Sequence, residues 1–215
     1  MRTLVLGASG GVGRWLAALA AENGHDVRAV VRESATYEPP PGVEVVRGDV
    51  TEPWVIEQAV RDRDIVLSAL GLRRAGRNPG AQLLSPRDLT QRVMRHLVPS
   101  MQRHGVQRLV AVSAGGVGDS FAQLSWPVQR LVSAGNIAVA YQDLAEMERV
   151  LESSNLDWLA VRPVTLVSGS VTGRAREVDR YGLLSRVRRS DVAAWMLDAL
   201  ERPGAFSQRR VLLGS

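Results

Sequence analysis

Cysteine is missing from the 215 residues, and so is lysine. The first absence excludes disulfides, thiolate metal sites and cysteine nucleophiles. It fits a reducing compartment, and a cytoplasmic location is expected. The second absence makes all 27 basic residues arginine and excludes every lysine-dependent mechanism in one step. Histidine is scarce: only His25, His96 and His104 occur. No metal site is expected. No apolar stretch approaches the ~18 residues needed to span a bilayer, so no membrane partner is expected. The N-terminus lacks the basic region and apolar run of a signal peptide. The net charge is +5, yet the arginines are scattered, with small clusters at Arg73-Arg74-Arg77, Arg186-Arg188-Arg189 and Arg209-Arg210. Nucleic-acid binding needs a contiguous basic face with groove-reading or aromatic elements, so no nucleic-acid partner is expected.

What is present is ordinary for a globular chain: 45% hydrophobic and 23% charged residues. The length suits one domain over residues 1–215. Short apolar runs alternate with longer amphipathic stretches, the pattern of βαβ units and a parallel sheet. Strands are expected at 3–6, 27–31, 43–46, 65–70, 109–113, 158–161 and 210–213. Helices are expected at 11–23, from Pro53, at 137–153 and at 190–200. The longest helix is expected from Ser85-Pro86 to His104, broken or bent near Pro99. Residues 120–135 read as irregular or weakly helical, and 163–185 as a loop without pattern. The fold class is α/β, a doubly wound parallel sheet of the Rossmann type.

The first strand runs straight into Gly7-Ala-Ser-Gly-Gly-Val-Gly13, and an alanine-rich helical pattern follows. A strand that feeds a glycine turn that opens a helix is the setting a dinucleotide site needs. Gly7 allows a sharp turn off the strand. Gly10 allows backbone to approach a pyrophosphate that a Cβ would strike. Gly13 lets the helix sit close to the sheet. The free amides and positive end of that helix suit a diphosphate.

In doubly wound sheets ligands lie beyond the carboxyl ends of the strands. The relevant tips are Gly7 to Gly13, Arg32, Asp49-Val50, Ala69 to Leu72, Ser113 and Arg162-Pro163. A site selective for NAD puts Asp or Glu at the end of the second strand; here that strand ends Val30-Val31-Arg32. A guanidinium there can pair with a 2′-phosphate, and Arg14 can reach the same group. NADP(H) is therefore the expected cofactor, although Glu33 could hold a ribose instead. Asp49 is read two ways, as an adenine contact or as a turn before the next helix. Ala69-Leu70-Gly71 puts small residues and bare backbone along the diphosphate's path. Ser113 would sit near the nicotinamide, donating to substrate or to backbone.

Gly7 to Gly13, Val31-Arg32, Gly48-Asp49-Val50, Ser113 and Val161-Arg162-Pro163 together resemble the atypical short-chain dehydrogenase/reductases, broadly the NmrA-like group. Within it, Ser85-Pro86, His104-Gly105-Val106, the run from Leu156 to Pro163 and Ser190-Asp191-Val192-Ala193 look like the biliverdin reductase B (flavin reductase) group. The resemblance implies an NADPH-binding domain that delivers hydride to a flat acceptor, a flavin, quinone or tetrapyrrole-like molecule. It implies cofactor contacts at Gly10, Gly11, Val12, Gly13, Arg32, Asp49, Val50, Leu70, Gly71 and Ser113, with Pro163 and Val164 near the nicotinamide; the turn and the strand tips add Gly7, Ser9, Arg14 and Ala69. The candidate catalytic residues are Ser113 and Tyr141, the latter read also as a packing or ribose-contact tyrosine.

The chain departs from ordinary short-chain dehydrogenases at their Tyr-x-x-x-Lys pair, in which lysine lowers the tyrosine pKa. Tyr141 is followed four residues later by Ala145, and Leu144 stands where relatives often carry Lys or His. Ketone reduction needs a proton donor at the developing oxyanion; a conjugated acceptor can use a delocalised anion and solvent. A reductase of flat acceptors is therefore expected over an alcohol dehydrogenase. A non-catalytic NADP(H)-binding redox sensor fits the missing residues equally well. A sugar-nucleotide epimerase fits less, since it usually needs Tyr and Lys. The loops at 72–80, 114–135 and 163–185 are expected to bind the acceptor, with Arg73, Arg77, Trp126 and Tyr181 as candidate contacts. The expected partner is a small-molecule acceptor, and the sequence is compatible with a monomer or a homodimer.

Overall fold

A computed structural model describes residues 1–76, 78–206 and 209–215. In chain order the strands are β1 (Arg2–Leu6), β2 (Asp26–Val31), β3 (Glu44–Arg47), β4 (Ile65–Ser68), β5 (Arg108–Val112), β6 (Asp157–Pro163), β7 (Thr165–Val167), β8 (Arg176–Glu177), β9 (Arg186–Arg188) and β10 (Arg210–Gly214). The α-helices are α1 (Gly13–Glu22), α2 (Pro53–Val60), α3 (Leu89–Arg103), α4 (Trp126–Val132), α5 (Gly135–Glu152) and α6 (Arg189–Glu201).

The main sheet has the order β3-β2-β1-β4-β5-β6-β10-β8. Every pair is parallel except the short β8 edge. Its central strands are apolar on both faces, as a doubly covered parallel sheet requires. The pleat sorts them. Val5, Leu67, Val110 and Leu159 join a core with Leu16 of α1 and Met196 of α6. Leu4, Val66, Leu109 and Trp158 join the opposite core with Ile56 of α2, Met94 of α3 and Met147 of α5. The strand order reverses between β1 and β4, which places the first glycine turn at the switch point where such sheets bind ligands.

Five expectations change. Helix α3 starts at Leu89, because Asp143 of α5 accepts hydrogen bonds from the amides of Thr90 and Gln91 and fixes that end. It runs unbroken through Pro99; a proline only removes one amide, and tertiary packing of Met94, Leu97 and Met101 holds the rest. The longest helix is α5, not α3. The stretch 120–135 contains α4, whose Val128 and Val132 are buried. The stretch 163–185 is partly ordered by β7, paired with β9, and by β8.

Candidate functional site

The turn after β1 is built by steric exclusion. Gly7 has φ +76°, and a Cβ there would lie 2.9 Å from the Ala69 carbonyl oxygen. A Cβ on Gly13 would fall onto the Gly7 carbonyl oxygen, far inside contact distance. Strand tip and helix start are thus pressed together, as the sequence suggested. At Gly10 a Cβ would crowd the Gly7 carbonyl at 3.1 Å, a constraint inside the turn beside the close approach expected there. No side chain caps α1. The amides of Gly11 and Val12 have no acceptor among the described residues. A cradle shut to side chains, with open amides at a helix N-terminus, fits the diphosphate of a dinucleotide.

This turn opens onto a cleft of about 700 Å³. The cleft brings together Gly7, Ser9, Gly10, Arg14, Arg32, Asp49, Val50, Ala69, Leu70 and Gly71. Ten predicted positions from four strand tips therefore share one surface. Two arginines brace its floor. Arg14 donates from Nε to the Ser9 carbonyl and from Nη2 to that of Thr36, and Arg47 donates to the carbonyls of Glu33 and Ala35. The loop after β2 is thereby fixed with its Ser34 and Thr36 facing the cleft.

Arg32 projects from that loop with no side-chain hydrogen bond or ion pair among the described residues. Burial lowers its pKa, the charge of Arg73 lowers it further, and Asp49 opposes both. A half-buried guanidinium facing another arginine across an open cleft is a site for a dianion. Of the two readings of Asp49, the structure shows the turn. Its Oδ1 accepts from the amide and hydroxyl of Thr51 at 2.8 Å each, making a turn, while the residue also lines the cleft.

The sequence missed the opposite wall. Arg73, Leu84, Ser85, Pro86 and Leu89 close the cleft from the far side. Residues 73–76 and 78–85 fold back on each other. Leu84 donates to the Arg73 carbonyl, Ser85 Oγ accepts from the Arg73 amide, and Arg74 bridges Leu83. Arg73, proposed from sequence as an acceptor contact, thus lines the same cleft as Arg32 and faces it.

Six predicted cofactor positions do not line the cleft. Gly11 is exposed beside it, and Val12 and Gly13 are buried under it. Pro163 and Val164 are buried at the end of β6, tied to Gly115 and Leu213. Ser113 is buried and donates to Glu148 Oε1 at 2.6 Å. Glu148 is the centre of a network that sequence reading did not find. Arg162 donates to both its oxygens at 3.0 and 2.5 Å, and Arg210 to Oε2 at 2.9 Å. Arg162 also pairs with Asp119 at 2.8 Å. Burial works against the Arg162 charge, but Glu148 and Asp119 outweigh it and raise the pKa. The available signal was Arg162 itself, a charge inside an apolar strand that must have a carboxylate partner. Spacing could not say whether Glu146, Glu148 or Glu152 supplies it.

Tyr141 donates its hydroxyl to the Gly115 carbonyl at 3.1 Å. Burial, followed by nearby Tyr181, pushes its pKa far above the ordinary value of 10.0. This is the reverse of the shift a lysine would cause. Tyr181 is buried with its hydroxyl 3.0 Å from Thr165 Oγ1, so it packs the interior. Trp126 is exposed, with the Arg130 guanidinium over its ring. Arg77 lies outside the described residues. The cleft includes no residue of 114–135 or 163–185.

Glycine turn, switch point and cleft define a dinucleotide-binding Rossmann domain. The chain matches the NAD(P)H-binding family over residues 7–203 and belongs to it. It is 30% identical over 184 residues to a 3-diazoavenalumate denitrifying reductase of a Streptomyces species, covering 82% of this chain and 60% of the relative. The chain thus spans about 60% of the length of that curated relative. Among solved structures it is similar to ChuY, an anaerobilin reductase of Escherichia coli O157:H7. The TM-score is 0.77 and identity 26%, over 99% of this chain and 96% of that one. It also shares the fold of a short-chain dehydrogenase/reductase of Veillonella parvula DSM 2008 solved with NADP. There the TM-score is 0.78 and identity 19%, over 100% and 94% of the two chains. No helix among the described residues is long and apolar enough to cross a membrane.

Proposed function

We propose that the protein is an NADPH-dependent reductase of a flat conjugated acceptor, a flavin, quinone or tetrapyrrole-like molecule, working without a Tyr/Lys acid pair. The observation that carries this reading is a contrast within the site. The cofactor cleft is open and cationic at Arg32, whereas the hydroxyls of Ser113 and Tyr141 are both committed to internal acceptors. The turn amides and α1 would hold the diphosphate. Arg32, helped by Ser34, Thr36 and Arg73, would hold the 2′-phosphate and favour NADP over NAD. The reduced nicotinamide, when bound, supplies a hydride, and the accompanying proton comes from solvent. The chain's contribution is then positioning rather than proton donation. The reductase names of the Streptomyces relative and of ChuY support the class.

The test is NADPH oxidation, followed at the nicotinamide band, against a panel of flavin, quinone and tetrapyrrole acceptors. Turnover of at least one, with NADPH preferred to NADH, is expected. A second reading is a redox sensor that binds NADP(H) without turning it over, favoured by the same committed hydroxyls. Calorimetry separates them: unequal affinities for NADP⁺ and NADPH with no turnover on any acceptor would replace the enzyme by the sensor.

A further inference from the structure

Resting on the dinucleotide reading above, we propose that Arg189 completes the phosphate cradle, its guanidinium pairing with the cofactor's diphosphate beside the turn amides. Arg189 lies far from the glycine turn in sequence but against it in space. A Cβ built on Gly11 would be 2.6 Å from Arg189 Cδ and 2.9 Å from its Nε. The arginine stem therefore occupies the space a side chain on Gly11 would need. This gives Gly11 a role that neither the turn geometry nor the helix start requires, since its φ is not in the left-handed region.

Among the described residues no carboxylate answers the charge of Arg189. Its one side-chain hydrogen bond runs from Nη1 to Ser168 Oγ at 3.4 Å, near the outer limit of such bonds. It forms no ion pair among the described residues. The nearby carboxylate, Asp191, is taken up by the Thr172 amide and hydroxyl and by the Gly173 amide. Neighbouring Arg188 is directed elsewhere, with Nη1 on the Ser170 carbonyl and its stem over Gly169. Arg189 is also the first residue of α6 and touches the turn that opens α1. Both helix starts carry positive partial charge and disfavour a cation. A guanidinium set between two such ends, beside unfilled amides, is a repulsive arrangement until an anion enters. A diphosphate is the anion the cradle already fits, and guanidinium binds phosphate through paired N–H donors.

Calorimetry with NADP⁺, NAD⁺ and adenosine 2′-monophosphate, which has the 2′-phosphate but no phosphate at the 5′ position, tests this without any turnover. Arg189→Gln should weaken NADP⁺ and NAD⁺ alike by about tenfold, the scale of one charge-assisted phosphate contact. It should leave adenosine 2′-monophosphate unchanged. Arg32→Gln should give the complementary pattern, weakening NADP⁺ and adenosine 2′-monophosphate but not NAD⁺. Gly11→Ala should copy Arg189→Gln by displacing the stem, and the double variant should be no weaker than either single one. Unchanged dinucleotide affinities in Arg189→Gln would overturn the assignment while leaving the cofactor reading intact. Parallel loss of adenosine 2′-monophosphate would overturn it as well. Wild-type protein that binds neither dinucleotide would remove the cofactor reading itself.

Discussion

The tips of β1 and β5 belong to one sheet, separated only by β4, and both lead into glycine-rich turns. At β1 the turn leaves amides open, keeps side chains out and faces a wide cleft. At β5 three polar groups are answered from within. Ser113 goes to Glu148, Tyr141 to the Gly115 carbonyl, and the Gly116 amide to Ser120 Oγ. The same local recipe thus yields a ligand cradle at one tip and a structural joint at the other. Glycine content does not decide between them. The presence of hydrogen-bonding side chains around the second tip does.

The largest effect should come from opening the closed tip. Glu148→Ala removes the buried partner of Arg162, whose side chain is only 3% exposed, and leaves it the exposed Asp119. Breaking a buried pair from one side costs about 3–5 kcal/mol. For a domain of this size that lowers Tm by roughly 10 °C, since each kcal/mol shifts it by a few degrees. A melting curve checks it. A shift of only a degree or two would mean that the network contributes little and that the second tip is less closed than its geometry indicates.

Gly13→Ala breaks the open tip instead. The added Cβ meets the Gly7 carbonyl and Ala8 Cα, both backbone, so no side chain can give way. Overpacking of this kind costs roughly 1–3 kcal/mol, and here the strain falls on the amides that hold the diphosphate. NADP⁺ affinity should fall by on the order of 100-fold, about 2.7 kcal/mol. The control is Gly118→Ala at the other tip, where φ is +56° but the Cβ meets only Arg162 Nη2 at 3.5 Å. That change should cost about 1–2 kcal/mol of stability from the left-handed backbone and leave NADP⁺ binding alone.

These two tips also mark what a reader of the sequence can and cannot see. The glycine turn is legible because every constraint on it is local: a strand, three glycines and a helix within twelve residues of each other. Arg32 and Asp49 are legible because the fold rule places strand ends on one edge. Arg73 with Leu84 to Leu89, and Arg189 over Gly11, are not legible. Each reaches the site through a return of the chain that no spacing encodes. Ser113 was rightly seen as a strand tip, but its hydroxyl is claimed by Glu148, 35 residues on. Position along a strand is written in the pattern; which partner a polar atom chooses is settled only by packing.

Arg32→Gln sharpens the comparison from the ligand's side. The residue has no structural partner among the described residues, so stability should change by less than about 0.5 kcal/mol. NADP⁺ should lose about tenfold in affinity and NAD⁺ almost nothing, because only one of them carries the 2′-phosphate. Selectivity measured by calorimetry would then fall toward unity. Retained preference for NADP⁺ would shift the phosphate contact to Arg73, across the cleft.

The smallest effect is expected where an ordinary short-chain dehydrogenase would show its greatest. Tyr141→Phe removes one neutral hydrogen bond, to the Gly115 carbonyl, worth about 0.5–1.5 kcal/mol of stability. Burial holds the hydroxyl protonated well past its ordinary pKa of 10.0. The sign matters. A raised pKa keeps the proton on as pH rises, so no tyrosinate forms across the neutral and mildly alkaline range. A tyrosine acting as proton donor with a lysine neighbour has its pKa lowered instead, and its loss removes most activity. Here kcat with a flat acceptor should stay within about threefold of wild type, under 1 kcal/mol in barrier. The pH profile of kcat should show no break in that range that the substitution abolishes. A loss of 100-fold or more, together with a vanished break near neutrality, would make Tyr141 the proton donor and the second tip an active one.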